Sequence, residues 1–115
     1  MELRTIMEVL SLNPLNDGDL SVDTEIKGCY IGDLLSNVMA HAQAGDLWLT
    51  VQTHQNVVAV GQLLNLGGIV FLEGHLPQEE TIAKARQERI PLFSTKESAY
   101  ELAGYLYKLG LERKA

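Results

Sequence analysis

Ten residues carry side chains or backbone of the kind that hold a small ligand. They fall into four groups: Gly32 and Asp33; Thr53, His54 and Asn56; Glu73, Gly74 and His75; and Ser94 and Thr95. Hydroxyls, imidazoles and backbone amides would orient a polar ligand, and the carboxylates would favour a cation or a ribose-like hydroxyl group. If a helix begins just after each group, its free amides could also hold an anion such as a phosphate. The competing reading is that these are turns and caps with no ligand. A further alternative joins His54 and His75 to Asp33 and Glu73 as a metal site of two imidazoles and two carboxylates. Their spacing matches no helical metal motif such as H-E-x-x-H, so no metal is expected.

Motifs for covalent or phosphoryl chemistry are missing. A phosphotransfer enzyme needs a loop such as G-x-x-x-x-G-K-[ST], and Gly61, Gly67 and Gly68 bring neither lysine nor hydroxyl in the required place. There is no G-x-S-x-G elbow, and Cys29 has no base in its local sequence. The expectation is a protein that is not an enzyme, with no resident cofactor, although a nucleotide ligand stays open.

The four groups matter only if the elements before them bring them together. Leu3, Ile6, Met7 and Leu10 lie on one face of an opening helix. Asn13-Pro14 and Asn16 to Asp19 then mark turns around a short extended piece. Residues 25–31 suit a strand, with Asp33 placed to cap a helix whose buried stripe is Leu34, Leu35, Val38, Met39 and Ala42. Leu47 to Val51 is the clearest strand. Between Asn56 and Leu66 the valines favour strand, but the distance between neighbouring strands favours helix, which is the expectation, ended by Gly67-Gly68. Ile69 to Leu72 is apolar at every position, which implies a strand buried on both faces. A surface helix follows, with Pro77 at its first position, Glu79 and Glu80 in the first turn and Lys84, Arg86 and Arg89 toward its end. After a strand over 90–93, Ser94 to Glu97 fits the S-x-x-E capping box of a last helix, whose stripe is Ala99, Leu102, Ala103, Leu106 and Leu109, closed by Gly110.

From residue 25 onward strand and helix alternate four times. The expected fold is α/β: a single three-layer domain with a mostly parallel sheet and helices on both faces. Within it, 1–24 form an N-terminal helix and short extended segment, 25–110 the alternating core and 111–115 a tail. The four groups then follow four strands and share the carboxyl edge of the sheet, where ligands collect in such folds.

Composition bounds the rest. The chain has 115 residues, 46% hydrophobic and 21% charged, enough for one buried core. No apolar run approaches the ~18 residues of a membrane span and no signal-peptide pattern opens the chain, so a cytoplasmic address is expected. A net charge of -6 argues against nucleic acid as the partner. Residues 1–83 hold two basic against eleven acidic side chains, while residues 84–115 hold seven basic and four acidic, a split that helix-end charge placement accounts for. Cys29, the single cysteine, cannot form an internal disulfide and is expected to be buried. Tyr100 and Tyr107, seven apart on the last helix and off its apolar stripe, suit either a core edge or a dimer face.

The segments G-C-Y-I-G-D-L-L-S-N-V-M (28–39), G-D-L-W-L-T-V-Q-T-H-Q-N (45–56), I-V-F-L-E-G-H-L-P (69–77) and I-P-L-F-S-T (90–95), in this order and spacing, resemble the DRTGG domain. Such domains occur alone, beside CBS domains in pyrophosphatases and within phosphotransacetylases, and are similar to the N-terminal domain of HPr kinase/phosphorylase. The resemblance implies an α/β regulatory module without its own catalysis, forming a homodimer. Two departures stand out. Thr53-His54 replaces the Asp-Arg of many relatives, and Leu72-Glu73-Gly74 replaces Thr-Gly-Gly. Losing an arginine and gaining a carboxylate makes the edge less favourable to phosphate. The resulting expectation is a regulatory, dimer-forming module that binds a small, nucleotide-like ligand at this edge; the rivals are an adaptor for another protein and a phosphotransfer enzyme.

Overall fold

Two short apolar runs organise the chain in the computed structural model, which describes residues 1–16 and 23–113. They form the strands β3 (Asp46–Thr50) and β4 (Gly68–Phe71), both buried at every position. A strand with no solvated face needs helices on both sides. The other described elements are α1 (Leu3–Val9), β1 (Asn13–Pro14), β2 (Gly28–Ile31), α2 (Leu35–His41), α3 (Asn56–Leu63), α4 (Glu79–Glu88), β5 (Leu92–Ser94) and α5 (Ala99–Lys108). The chain is α/β as expected, and the strand–helix alternation after residue 25 is present throughout.

The sheet has the order β1-β5-β4-β3-β2. β2, β3, β4 and β5 are parallel, and β1 adds one antiparallel edge, pairing Asn13 with Ser94 and Pro14 with Phe93. Because the sequence steps across the sheet in one direction, three crossovers of one hand put α2, α3 and α4 on the same face. There Val38, Val57, Val58 and Ala85 pack on Trp48, Ile69, Phe71 and Leu92. On the other face Leu3 and Ile6 of α1 and Leu102 and Leu106 of α5 cover Leu47, Leu49, Val70 and Phe93.

Several boundaries move from the sequence expectation. Residues 25–27 precede the strand, and Glu25 is joined to Glu2 by an isolated bridge while its carboxylate pairs with the Met1 ammonium. Leu34 and Met39 are exposed, so the stripe of α2 is Leu35, Val38 and Ala42. α3 is helical as expected but stops at Leu63, turned by Asn65 at φ 55° and not by Gly67-Gly68. Gly67 has another reason to be glycine: a Cβ there would come within 2.4 Å of Ile26 Cδ1. Pro77 lies before α4, whose N-cap is Gln78. The capping box of α5 is the second S-x-x-E in the sequence, Ser98 to Glu101, where Ser98 Oγ accepts from Glu101 N at 3.2 Å. Ser94 cannot cap because it is the last residue of β5 and buried. The expected tail begins inside the fold: Leu111 is buried and Arg113 pairs closely with the buried Asp46.

Asn16, read from sequence as a turn residue, is a fully buried strap. Its Nδ2 donates to Ile90 O at 2.7 Å and its Oδ1 accepts from Leu92 N at 2.8 Å, holding the lead-in to β5 beside β1. The remaining turn residues of that segment, 17–19, lie outside the described residues. Asn16→Ala strands one buried amide and one buried carbonyl, so urea unfolding is expected to show a loss of about 2–4 kcal/mol. A loss below about 0.5 kcal/mol would mean that water satisfies both groups.

Candidate functional site

All four residue groups reach the carboxyl edge of the parallel strands. Along it they run in the order Ser94-Thr95, Glu73 to His75, Thr53 to Asn56, then Gly32-Asp33, because the strands run β5, β4, β3, β2. Neighbouring strands lie about 4.8 Å apart, so the row spans some three spacings and divides into separate places.

At the β2 end, Asp33 is a latch and not a helix cap. Its Oδ1 accepts from Thr50 Oγ1 at 2.7 Å and from Val51 N at 2.8 Å, tying the ends of β2 and β3 together. The N-cap of α2 is Leu34, with no side-chain cap. Gly32 supports the same joint, accepting from Trp48 Nε1 at 2.8 Å and donating its own N–H to Leu49 O at 3.2 Å.

After β3, His54 lies just before α3, whose N-cap is Gln55. The Nδ1 of His54 accepts from Asn56 N at 3.1 Å, which places the proton of the neutral ring on Nε2, and its carbonyl accepts from Val57 N. Thr53 O accepts from Thr81 Oγ1 at 3.2 Å and so ties this loop to α4. His54, Gln55, Gln78, Glu80 and Thr81 line a small cleft of about 250 Å³.

The larger groove, about 540 Å³, opens at the β4 and β5 ends. Here the chain leaves β4 for α4 on one face and leaves β5 for α5 on the opposite face. Divergence of adjacent strand exits makes the crevice that ligands use in open α/β sheets. Two backbone bonds set its floor, Glu73 N to Glu97 O at 3.0 Å and Gly74 N to Thr95 O at 2.9 Å. Glu73 and Gly74 both have positive φ, 56° and 75°. Only glycine takes that conformation without steric cost, so Glu73 holds it under strain. Gly74, Ser94 and Thr95 line the groove with Leu76 and Lys96, and residues 10, 11 and 13 form the opposite wall. Ser94 Oγ accepts from Asn13 Nδ2 at 3.3 Å, and Thr95 Oγ1 accepts from Glu97 N at 3.2 Å.

Sequence reasoning missed Ser11, Asn13 and Lys96 as groove residues. Lys96 follows Ser94-Thr95 directly and could have been found as the one cation of that loop. Ser11 and Asn13 arrive only through the antiparallel pairing of β1 with β5, which local sequence does not reveal. The metal alternative has no cluster behind it: among the described residues no group of three or more His, Cys, Asp and Glu could hold an ion.

Cys29 departs from expectation. It lies on edge strand β2 and is exposed, at a concave groove of about 420 Å³ lined also by Ile31, His41, Asp46, Tyr107 and Arg113. The walls of that groove desolvate the thiol and the Asp46 charge opposes its ionisation, together pushing its pKa up to about 12.

No protein-family model matches the sequence, and no curated protein matches it. The fold nevertheless has solved counterparts. The chain has the fold of a DRTGG-like domain: it is similar to the CBS and DRTGG domains of the regulatory region of Clostridium perfringens pyrophosphatase, a structure complexed with the activator diadenosine tetraphosphate. The TM-score is 0.69 at 17% identity, over 90% of this chain and 44% of that one. This chain therefore spans less than half of its structural neighbour. Among the described residues, no helix is long and apolar enough to cross a membrane.

Three outcomes are expected. Asp33→Ala removes the acceptor shared by Thr50 and Val51 and should cost about 1–3 kcal/mol in chemical denaturation, whereas Asp33→Asn, which keeps one acceptor oxygen, should lose less. For Cys29, the folded chain keeps the proton above the ordinary thiol value of 9.0, where the unfolded chain releases it. Stability should therefore fall as pH rises above 9, and comparison of the native chain with Cys29→Ser should isolate that contribution. Alkylation of Cys29 at pH 8 should be slower than that of an unhindered cysteine by roughly tenfold or more.

Proposed function

We propose that this chain is a non-catalytic regulatory module that binds a nucleotide-like ligand at the carboxyl edge of its sheet, acting in the cytoplasm as a homodimer. The observation that carries the reading is the crevice at the ends of β4 and β5, where the strand exits diverge beside a groove of about 540 Å³. The hydroxyls of Thr95 and Ser94 supply hydrogen-bonding groups there, and Lys96 supplies a positive charge beside the carboxylate of Glu97. The similar pyrophosphatase region is complexed with a nucleotide activator, which supports the same ligand class. The separate, smaller cleft at His54, between Thr53 and Asn56 in the chain, is a second place for part of a ligand, and Gly32, Asp33, Glu73 and His75 complete the proposed edge. The excess of fifteen acidic over nine basic residues supports a small ligand over a nucleic acid.

Exposed Leu34 and Met39, on the α2 side of the sheet, support a second reading, an adaptor that docks another protein through an apolar face.

A thermal-shift titration with diadenosine tetraphosphate, ATP, AMP, sugar phosphates and divalent metals tests the first reading. A ligand at one hundred times its Kd stabilises the folded state by about 2.7 kcal/mol, so a saturable rise in Tm is expected with an adenine nucleotide. Thr95→Ala with Lys96→Ala should abolish the rise. His54→Ala should weaken it if the ligand reaches the smaller cleft. No rise with any compound would leave the adaptor reading, and transfer of labelled phosphate from ATP by the purified chain would restore a phosphotransfer enzyme.

A further inference from the structure

The charges along the carboxyl edge of the sheet limit what the groove there can hold. The loops that leave the four parallel strands are residues 32–34, 51–55, 72–78 and 95–98. They carry three carboxylates, Asp33, Glu73 and Glu97, against one lysine, Lys96. Lys96 makes no ion pair among the described residues, so its charge is available to a ligand. Each phosphate of a ligand brings about one negative charge or more at neutral pH. One lysine offsets one phosphate, and a longer phosphate chain along this edge would lie against like charge.

Helix ends do not make up the deficit. Free amides at a helix N-terminus hold phosphate in many α/β proteins. Here Glu79 and Glu80 already complement the positive end of α4, and Glu101 that of α5, where Ser98 Oγ also accepts from the Glu101 amide. In α3 the first three amides are used within the chain: Asn56 N donates to His54 Nδ1, Val57 N to His54 O and Val58 N to Gln55 O. What the groove does offer suits a nucleoside. Leu10 and Leu76, the latter 63% exposed, give apolar surface for a base. Glu97 bonds through its backbone, its N–H to Thr95 Oγ1 and its carbonyl to Glu73 N–H, which leaves its carboxylate to the groove it lines. A carboxylate so placed accepts from ribose hydroxyls. The volume of about 540 Å³ lies within the ~300–1,000 Å³ of small-molecule sites and suits one nucleoside unit.

We propose that the groove selects a nucleoside carrying no more than one phosphate. Lys96 takes the phosphate, Glu97 takes the ribose hydroxyls, Leu10 and Leu76 contact the base, and Glu73 and Glu97 repel any longer phosphate chain. Diadenosine tetraphosphate, the activator complexed with the similar pyrophosphatase region, is then a poor ligand for this chain. This names the ligand class of the site proposed above and rests on that reading.

Calorimetric titration of the full chain with adenosine, AMP, ATP and diadenosine tetraphosphate in metal-free buffer tests it. Adenosine and AMP are expected to bind roughly tenfold or more tightly than either polyphosphate. Glu97→Gln, nearly isosteric and free of a side-chain bond within the chain, should weaken adenosine roughly tenfold or more. Glu73→Gly removes a carboxylate where the backbone favours glycine, so the variant should fold at least as stably and narrow the preference for AMP over ATP roughly threefold or more. A smaller native preference, a preference for the polyphosphates, or no effect of either substitution would overturn this selectivity and leave a nucleotide site in place. No binding of any of the four compounds would overturn both readings.

Discussion

Burial of β4 on both faces is the constraint from which the architecture follows. Gly68, Ile69, Val70 and Phe71 have no contact with solvent worth the name, so the sheet needs two helix layers. The crossovers from β2 to β5 all fall on one side, and α2, α3 and α4 fill that layer. The opposite layer is left to α1 and α5, one from each end of the described chain. α5 must therefore leave β5 in the direction opposite to the one α4 takes from β4. The crevice proposed as the ligand site is a by-product of covering a doubly buried strand with helices drawn from distant parts of the chain.

Polar ties between sequence-distant segments then hold the layers in place. Asp33 joins β2 to β3 at the carboxyl edge, Asn16 joins the β1 region to the approach of β5, and the Asp46–Arg113 pair brings the chain after α5 back to the start of β3. Asp33 has a cost for function: an oxygen that serves Thr50 and Val51 is less free for a ligand, which moves the weight of the site toward β4 and β5. The groove there has hydroxyls, one lysine and one glutamate, Glu97, and its backbone is set by consecutive left-handed residues at Glu73 and Gly74. A glutamate, and not a glycine, takes the first of these two positions. The turn is therefore maintained by its surroundings and not by glycine alone.

Edge treatment connects the fold to assembly. One edge ends in a proline and the other presents an uncharged stretch beside two exposed tyrosines. The crevice proposed for a ligand is at the β4–β5 ends, on the far side of β3 from this edge.

Much of the fold was legible because it rests on local regularities. Apolar runs marked β3 and β4, the helical stripe marked α5, and alternation marked a parallel sheet. The ends of elements were less legible, since two S-x-x-E boxes stand side by side and the burial of Ser94 in β5 selects Ser98 as the cap. Asp33 likewise had the spacing of a cap, and the nearness of Thr50 and Val51 took it for a different bond. By itself the sequence determined element type, strand–helix alternation and the four loop groups at one edge, because period and turn chemistry are properties of neighbouring residues. Only the tertiary structure decided strand order, the exposure of Cys29 and Ile31, and the groove that unites Ser11 and Asn13 with Ser94 to Glu97. Those depend on which distant segments compete for the same surface, and burial and hydrogen bonding across the sheet settle that competition.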